Sequence, residues 1–197
     1  RPPTGSERFM EIVPAVAFVG RKNSGKTTLL VQVLARLTDC GLRVGTIKHH
    51  SHVGFDMDIE GKDSWRHRQA GSRYTVIASP DQLGSVRTLE REPSIEAIVA
   101  EMSAAAVDRA GRPELDLILV EGYRASALPT IEIFRADNPH DATRELDPDL
   151  LGLIAVVTDQ PRVAEAVAAA DADGTRDIRL FALDDIAGIA DLISDLL

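Results

Sequence analysis

Eight residues near the start of the chain have the types and spacing of a phosphate-binding loop. The run Gly20-Arg21-Lys22-Asn23-Ser24-Gly25-Lys26-Thr27 matches G-x-x-x-x-G-K-[ST] at every fixed position. Glycines let the backbone wrap so that amide N–H groups point at phosphate oxygens, and the start of a following helix adds about half a positive charge. We expect Lys26 to bridge the β- and γ-phosphates and the Thr27 hydroxyl to ligate Mg²⁺. The pattern therefore indicates binding of a nucleoside triphosphate.

An acidic residue at the end of a second strand completes this chemistry. A Mg²⁺-nucleotide site normally takes a further carboxylate from a neighbouring buried strand. Glu121 follows four consecutive apolar residues, so its side chain is expected at the carboxyl edge of a parallel sheet, where ligands of such sheets bind. We predict that Glu121 holds Mg²⁺ through water or orients an attacking water, and that Lys26 and Glu121 are the catalytic pair. Asp116 is a weaker candidate because it lies at the other end of the same strand.

The segments around the loop have the pattern of a strand–helix–strand crossover. Residues 13–19 form a nearly continuous apolar run, as in a buried parallel strand. Residues 27–37 carry an apolar stripe at helical spacing, and residues 42–47 are the next strand. This unit builds parallel α/β sheets with right-handed connections.

Strand and helix patterns continue along the rest of the chain. Two β-like segments separated by a Ser-Pro-Asp-Gln turn predict an antiparallel hairpin over about residues 74–89, inserted in the fold and suited to dimerisation. The fold class expected is therefore α/β, a P-loop NTPase-like, mostly parallel sheet flanked by helices. The other predicted elements are helices over 63–70, 93–107, 162–170 and 186–196, and strands over 115–120, 131–134, 153–157 and 178–181.

The composition is that of an ordinary globular protein. The chain has 197 residues, 44% of them hydrophobic and 27% charged, and a formal net charge of -9. The negative charge argues against nucleic acid as a partner, and no apolar run is long enough to span a membrane. A lone cysteine and the lack of a signal-peptide pattern predict a cytoplasmic location. We expect a flexible leader over residues 1–10 and a single domain over 11–197.

Several motifs beyond the loop narrow the identification. Thr46-Ile47-Lys48-His49, Gly61-Lys62-Asp63-Ser64-x-Arg66-His67, Leu119-Val120-Glu121-Gly122-Tyr123 and Pro129-x-Ile131-Glu132 occur in this order after the phosphate loop. Together they resemble the molybdopterin-guanine dinucleotide biosynthesis adaptor family MobB, from about residue 13 to residue 134. The phosphate loop is shared by many protein families, whereas the segment rich in histidine and lysine is what distinguishes this family among them.

The resemblance implies an adaptor that binds GTP and Mg²⁺, with weak GTPase activity at most, in molybdenum cofactor biosynthesis. It also implies a homodimer whose strands pair across the subunit boundary. The partner implied is the guanylyltransferase that attaches GMP to molybdopterin. Further partners are molybdoenzyme apoproteins or their chaperones, and molybdopterin or molybdopterin guanine dinucleotide is a further ligand.

The family's site residues carry over to matching positions of this chain. Gly20, Asn23, Ser24, Gly25, Lys26, Thr27 and Thr28 would bind the phosphates, with Thr27, Asp56 and Glu121 around the metal. Lys48, His49, Asp56, Asp58, Lys62, Asp63, Arg66 and His67 would line an adjoining surface that recognises pterin, phosphate or a partner.

The sequence lacks the Asn-Lys-x-Asp motif that reads guanine in many GTPases. The nearest substitute is Val157-Thr158-Asp159-Gln160, where Asp159 could accept the N1 and N2 protons of guanine. An ordinary turn at the end of a strand is the alternative interpretation of this segment. The preference for GTP therefore depends on the resemblance.

Two other functions stay open from the sequence. His49, His50 and His52 could form an imidazole cluster in a metal-handling GTPase of the nickel-insertion type. A small-molecule kinase could use the same loop with a lid of arginines, for which Arg66, Arg68 and Arg73 are available.

Overall fold

The computed structural model describes residues 12–50, 59–108, 110–172 and 176–197. The described residues up to His49 and the segment Ile95–Leu197 form one compact unit, and those within His50–Ser94 form a second. The strands are β1 (Ala15–Gly20), β2 (Val44–Lys48), β3 (Tyr74–Ala78), β4 (Leu83–Arg87), β5 (Leu117–Glu121), β6 (Thr130–Phe134), β7 (Leu153–Thr158) and β8 (Arg179–Phe181). The helices are α1 (Lys26–Asp39), α2 (Asp63–Gln69), α3 (Ile95–Ala105), α4 (Pro161–Ala170) and α5 (Ile186–Ser194).

The larger unit is built on a parallel sheet of six strands. Their order is β2-β5-β1-β6-β7-β8, and every neighbouring pair runs parallel. The chain leaves central strand β1 toward β2 on one side and returns later to β6 on the other. The carboxyl end of β1 is thus the point where the strand order reverses, which is where open α/β sheets bind ligands.

Helices cover both faces of this sheet, as its apolar strands require. On one face α1 and α5 pack against side chains such as Phe18 and Ile133. On the other face α3 covers Val120 and its neighbours, and α4 covers Phe134. The amphipathic stripe of α1 buries Leu29, Leu30, Val33 and Leu37, which fixes the start of this helix against the end of β1.

The smaller unit contains α2 and the antiparallel hairpin of β3 and β4. Thr75 is its buried strand residue, whereas Tyr74, Ile77 and Leu83 are exposed. The turn closes through Ser79, whose amide donates to the carbonyl oxygen of Gln82 at 2.8 Å. A two-stranded hairpin buries little apolar surface by itself.

The structure confirms the fold class and nearly every predicted element. Helix α3 runs over Ile95–Ala105 and is thus two residues shorter at each end than the predicted helix over 93–107. Its continuation is replaced by a turn, because the Asp108 carboxylate accepts from the backbone N–H groups of Ala110 and Arg112. Strand β2 begins two residues later than expected, since Arg43 instead binds Asp116 through its backbone and side chain. The leader over residues 1–10 lies outside the described residues. Within the described part of the chain, no helix has the length and apolar character needed to cross a bilayer.

Candidate functional site

The segment between β1 and α1 folds into a tight loop. The amide of Ser24 donates to the carbonyl oxygen of Arg21 at 3.2 Å, and Asn23 and Gly25 have φ of 64° and 86°. Both angles lie in the left-handed region, which glycine and, among the other residues, asparagine tolerate best. This conformation turns the chain back on itself directly before α1 begins at Lys26.

Close packing at the base of the loop explains its first glycine. A Cβ atom at Gly20 would lie 2.6 Å from Ser24 Oγ and 2.8 Å from the carbonyl oxygen of Ile133. The Ser24 side chain is fully buried, and its hydroxyl has no hydrogen-bond partner among the described residues. A buried, unpaired donor inside a curled backbone suits an anionic ligand.

The Lys26 ammonium lies inside the curve of the loop. Its Nζ donates to the carbonyl oxygen of Arg21 at 2.6 Å. Burial lowers the pKa of Lys26 below its usual value. The carboxylates of Glu121 and Asp141 oppose this pKa shift, and the Lys48 ammonium adds to it. A partly desolvated cation attracts phosphate more strongly than one in bulk water.

Three side chains from different elements meet beside this lysine. The Thr27 hydroxyl donates to Glu121 Oε1 at 2.8 Å. Lys48 Nζ donates to both carboxylate oxygens of Glu121, at 3.0 Å each, and to Thr27 Oγ1 at 3.3 Å. The structure thus brings together the predicted site residues Thr27, Glu121 and Lys48.

The donor set of this cluster fits Mg²⁺. A hydroxyl and a carboxylate 2.8 Å apart are both hard oxygen ligands of the kind that Mg²⁺ uses beside nucleotide phosphates and water. Thr27 and Glu121 would hold the ion. Asp56, the third predicted metal ligand, lies outside the described residues, as do Asp58 and His52.

His49 is placed next to this cluster by two contacts. Its amide donates to the carbonyl oxygen of Glu121 at 2.9 Å. Its ring lies against that of Tyr123, with centroids 4.3 Å apart and planes tilted by 30°. His49 thus lies at the same sheet edge as the phosphate loop, as the sequence predicts.

A cavity of about 220 Å³ lies on the α1 side of the loop. Its walls include Gly25 and Thr28 of the loop and first helical turn, Arg135 after β6, and Leu183 and Asp184 after β8. Arg135, Leu183 and Asp184 are not recognisable as site residues from the sequence. Only the strand order, which places the ends of β6 and β8 on this side of β1, shows that they belong here.

Asp159, which the sequence predicts to bind the guanine base, accepts a hydrogen bond from the protein backbone. Its Oδ1 accepts from the amide of Ala136 at 2.6 Å. The side chain of the next residue, Gln160, donates to the carbonyl oxygen of Arg135 at 3.0 Å. These bonds fix the end of β7 against the loop after β6, and guanine recognition by Asp159 stays a prediction.

A buried ionic network lies under the site. Glu132, in the middle of β6, is fully buried, and its Oε1 accepts from the guanidinium groups of Arg124 and Arg144. Arg144 also lies 3.4 Å from the buried Asp141 and 4.1 Å from the centroid of the Phe134 ring.

The same network reaches the phosphate loop. Asn138 Nδ2 donates to Asp141 Oδ2 at 2.7 Å and to the carbonyl oxygen of Lys22 at 3.1 Å. Burial lowers the pKa of Arg144 to about 10, helped by the charges of Arg124 and Arg21, so it stays protonated at neutral pH. The one sequence signal for this network is a charged residue, Glu132, within an apolar strand.

The remaining predicted residues lie on the smaller unit. There, Lys62 precedes α2, and the helix lines an open depression of about 640 Å³ with side chains that include Asp63, Arg66 and His67. Asp63 and Arg66 form a long ion pair at 3.9 Å. A ligand role for these four residues stays a prediction.

The imidazole cluster expected for a metal-handling protein falls partly outside the described chain. His49 and His50 are described, whereas His52 is not. Among the described residues, no group of three or more His, Cys, Asp or Glu side chains is arranged to hold a metal ion.

Comparisons with known proteins agree with this architecture. Residues 15–159 match the family model MobB, described as molybdopterin guanine dinucleotide synthesis protein B. The chain is 32% identical over 182 residues to the molybdopterin-guanine dinucleotide biosynthesis adapter protein of Escherichia coli (strain K12), covering 92% of each chain. It is 31% identical over 149 residues, 76% of each chain, to the adapter protein of Haemophilus influenzae. The crystal structure of Bacillus subtilis MobB superimposes with a TM-score of 0.64 at 24% identity, covering 93% of this chain and 98% of that one. The resemblance stated from the motifs is confirmed, and this chain belongs to the MobB family.

Proposed function

We propose that this protein is a GTP-binding adapter in the biosynthesis of molybdopterin guanine dinucleotide. The observation that carries the proposal is the convergence of Lys26, Thr27 and Glu121 at the carboxyl end of β1, beside a curled loop with a buried hydroxyl. The two bacterial relatives, both molybdopterin-guanine dinucleotide biosynthesis adapter proteins, support the adapter role.

The loop residues divide the binding of the triphosphate among them. Backbone N–H groups from Gly20 to Thr28 donate hydrogen bonds to phosphate oxygens. The Lys26 ammonium leaves the carbonyl oxygen of Arg21 and binds the β- and γ-phosphates. Thr27 and Glu121 would hold a magnesium ion, which would neutralise charge on the phosphates. The cavity bounded by Thr28 and Asp184 adjoins the loop and is proposed to receive part of the nucleoside.

Hydrolysis is proposed to be slow. Glu121 is the carboxylate available to orient water, but the same carboxylate is assigned to the magnesium ion. A carboxylate that binds a metal ion is less available to accept a proton from water than a free one. GTP therefore serves mainly as a bound signal or as a substrate for the partner. The proposed location of the protein is the cytoplasm.

The partner proposed is the guanylyltransferase that joins GMP to molybdopterin, with molybdoenzyme apoproteins or their chaperones downstream. Lys48 and His49 on the larger unit and the basic helix α2 on the smaller one offer cationic and imidazole groups. Such groups suit the phosphate of a pterin ligand or an acidic partner surface.

Titration calorimetry with GTP and ATP in the presence of Mg²⁺ tests the nucleotide part of the proposal. We expect GTP to bind at least about tenfold more tightly than ATP, which corresponds to about 1.4 kcal/mol. Equal affinities would contradict guanine recognition, and no binding of either nucleotide would contradict the whole proposal. Stoichiometric binding of Ni²⁺ would favour the metal-handling alternative, and turnover that requires an added acceptor would favour the kinase.

We further propose that the β3–β4 hairpin forms the contact of a homodimer. The exposed fractions of Ile77 and Leu83 are 55% and 75%, although both are large apolar side chains. Within the described residues, β3 and β4 pair only with each other, so each has an outer edge able to accept a strand from a second copy.

Charged substitutions on the hairpin test this contact. Replacing Ile77 and Leu83 with glutamate is expected to weaken the dimer at least about 30-fold, since buried hot-spot side chains contribute about 2 kcal/mol or more. Sedimentation velocity over a concentration series measures the change. Val31→Glu, at an exposed position on α1, is the matched control and should sediment like the unmodified protein. An unchanged dimer in the hairpin variant would show that the hairpin has another use.

A further inference from the structure

Lys48 contacts the same oxygens that the magnesium ion needs. Its Nζ lies 3.0 Å from each carboxylate oxygen of Glu121 and 3.3 Å from Thr27 Oγ1. Thr27 and Glu121 are the two described side chains assigned above to the ion. An ammonium and a divalent cation bound to these oxygens at the same time would lie close together and repel each other, so each lowers the affinity of the site for the other.

The register of the sheet holds Lys48 in this position. Lys48 is the residue of β2 paired with Glu121 of β5, at the last step of the parallel ladder. The amide of His49 continues the pairing to the carbonyl oxygen of Glu121 at 2.9 Å. The backbone of Lys48 is therefore fixed beside the carboxylate, whatever its side chain does.

The side chain itself is free to leave. The exposed fraction is 60% for the Lys48 side chain and only 12% for that of Glu121. A four-carbon stem in solvent can swing its ammonium away at little cost, whereas the carboxylate stays where it is. The pair thus has a fixed anion and a movable cation.

We propose that Lys48 is a tethered cation that competes with Mg²⁺ for Glu121 and Thr27 and is displaced when the metal binds with the nucleotide. This inference rests on the proposed nucleotide function. Before binding, the ammonium neutralises Glu121 and lowers its attraction for free metal ions. When the triphosphate enters, its negative charges compensate the approaching metal, and the Lys48 ammonium becomes available to a phosphate or to a partner surface.

Neutralising Lys48 tests the competition directly. Mn²⁺ replaces Mg²⁺ as a paramagnetic probe, and its free fraction is measured by electron paramagnetic resonance, with and without guanosine 5′-(β,γ-imido)triphosphate. In the presence of the nucleotide, Lys48→Met is expected to bind Mn²⁺ about tenfold more tightly than the unmodified protein, because one positive charge beside the site is lost. Without nucleotide, the gain in Mn²⁺ affinity should have the same direction.

Three further variants separate this effect from general charge or folding changes. Lys48→Arg keeps the charge and should not show the gain. Arg36→Met removes a positive charge from the exposed last turn of α1, and it should bind Mn²⁺ like the unmodified protein. Adding Glu121→Gln to Lys48→Met should abolish the gain. Thermal unfolding of each variant checks the fold, and Lys48→Gln replaces Lys48→Met if the latter does not fold.

The outcomes distinguish the inference from the proposed function. Unchanged or weaker Mn²⁺ binding in Lys48→Met, in a protein that binds the nucleotide, would overturn the competition and leave the nucleotide function standing. If the unmodified protein does not bind the nucleotide, the proposed function fails. A gain in metal-only affinity that depends on Glu121 would still support the competition.

Discussion

Replacing Lys26 with alanine is expected to abolish nucleotide binding and to leave the fold intact. The ammonium is half-buried inside the loop, where Nζ donates to the carbonyl oxygen of Arg21. In the proposed complex, phosphate oxygens replace that carbonyl, so the interaction lost in the variant is a charge-assisted contact with the ligand. Truncating one partner of a buried, hydrogen-bonded charge pair costs about 2–5 kcal/mol, or about a 30- to 5,000-fold weaker Kd.

Calorimetric titration with GTP measures this loss, and urea unfolding checks the fold. The free energy of unfolding should change by less than about 1 kcal/mol, because no described side chain of the core contacts Lys26 Nζ through a hydrogen bond. Lys22→Ala is the matched control. It removes a second lysine of the same loop at a variable motif position, and its backbone oxygen still accepts from Asn138. GTP affinity retained by Lys26→Ala, or lost equally in Lys22→Ala, would contradict the assigned role.

The path from β1 through the loop to α1 could be read from the sequence because each feature is local. An apolar run predicts the strand, the stripe of Leu29, Leu30, Val33 and Leu37 predicts the helix, and the glycine spacing predicts the turn between them. Glu121 was also predictable, since it directly follows an apolar strand. The family resemblance then connected these local features to the same site.

The cavity beside the loop could not be predicted, because it depends on strand order. Leu183 and Asp184 are more than 150 positions after the loop, and they reach Gly25 only because β8 lies on the same side of β1 as β6 and β7. The pairing of Lys48 with Glu121 has the same origin, since it depends on the register of β2 against β5. Neither the strand register nor the strand order can be recognised from a single sequence.

Glu132 is the clearest case of a residue whose environment the sequence concealed. The sequence predicts that Glu132 lies in a strand and belongs to a family motif, but it does not identify the partners of the side chain. The structure buries it completely between Arg124 and Arg144, eight residues before and twelve after it. From the sequence alone, a strand residue between Ile131 and Ile133 could face solvent. The helices on both faces of the sheet bury it instead.

Removing the Arg144 guanidinium is expected to be the most destabilising single change in this network. Glu132 is fully buried, and its Oε2 has no hydrogen-bond partner among the described residues. Arg124 and Arg144 both bind the other carboxylate oxygen, Oε1. Arg144→Met leaves this carboxylate with Arg124, whose side chain is 42% exposed and therefore a weaker partner. Breaking a buried ion pair from one side costs about 3–5 kcal/mol.

Urea unfolding of a double-mutant cycle separates this cost from lost packing against Phe134. Arg144→Met alone should lose about 3–5 kcal/mol, whereas Glu132→Leu combined with Arg144→Met should recover part of that loss, because the Glu132 carboxylate is no longer left buried without its partner. The buried Asp141 carboxylate keeps its hydrogen bond from Asn138. Arg124→Met is the matched control and should lose less than Arg144→Met, since its charge is partly solvated. Two results would contradict a role of charge in holding the loop after β6. One is a free energy of unfolding of Arg144→Met within about 1 kcal/mol of that of the unmodified protein, and the other is a double variant no more stable than Arg144→Met.

The same variant should also bind GTP less tightly, because Asn138 connects Asp141 of this network to the carbonyl oxygen of Lys22. Arg144 itself is not assigned to the nucleotide.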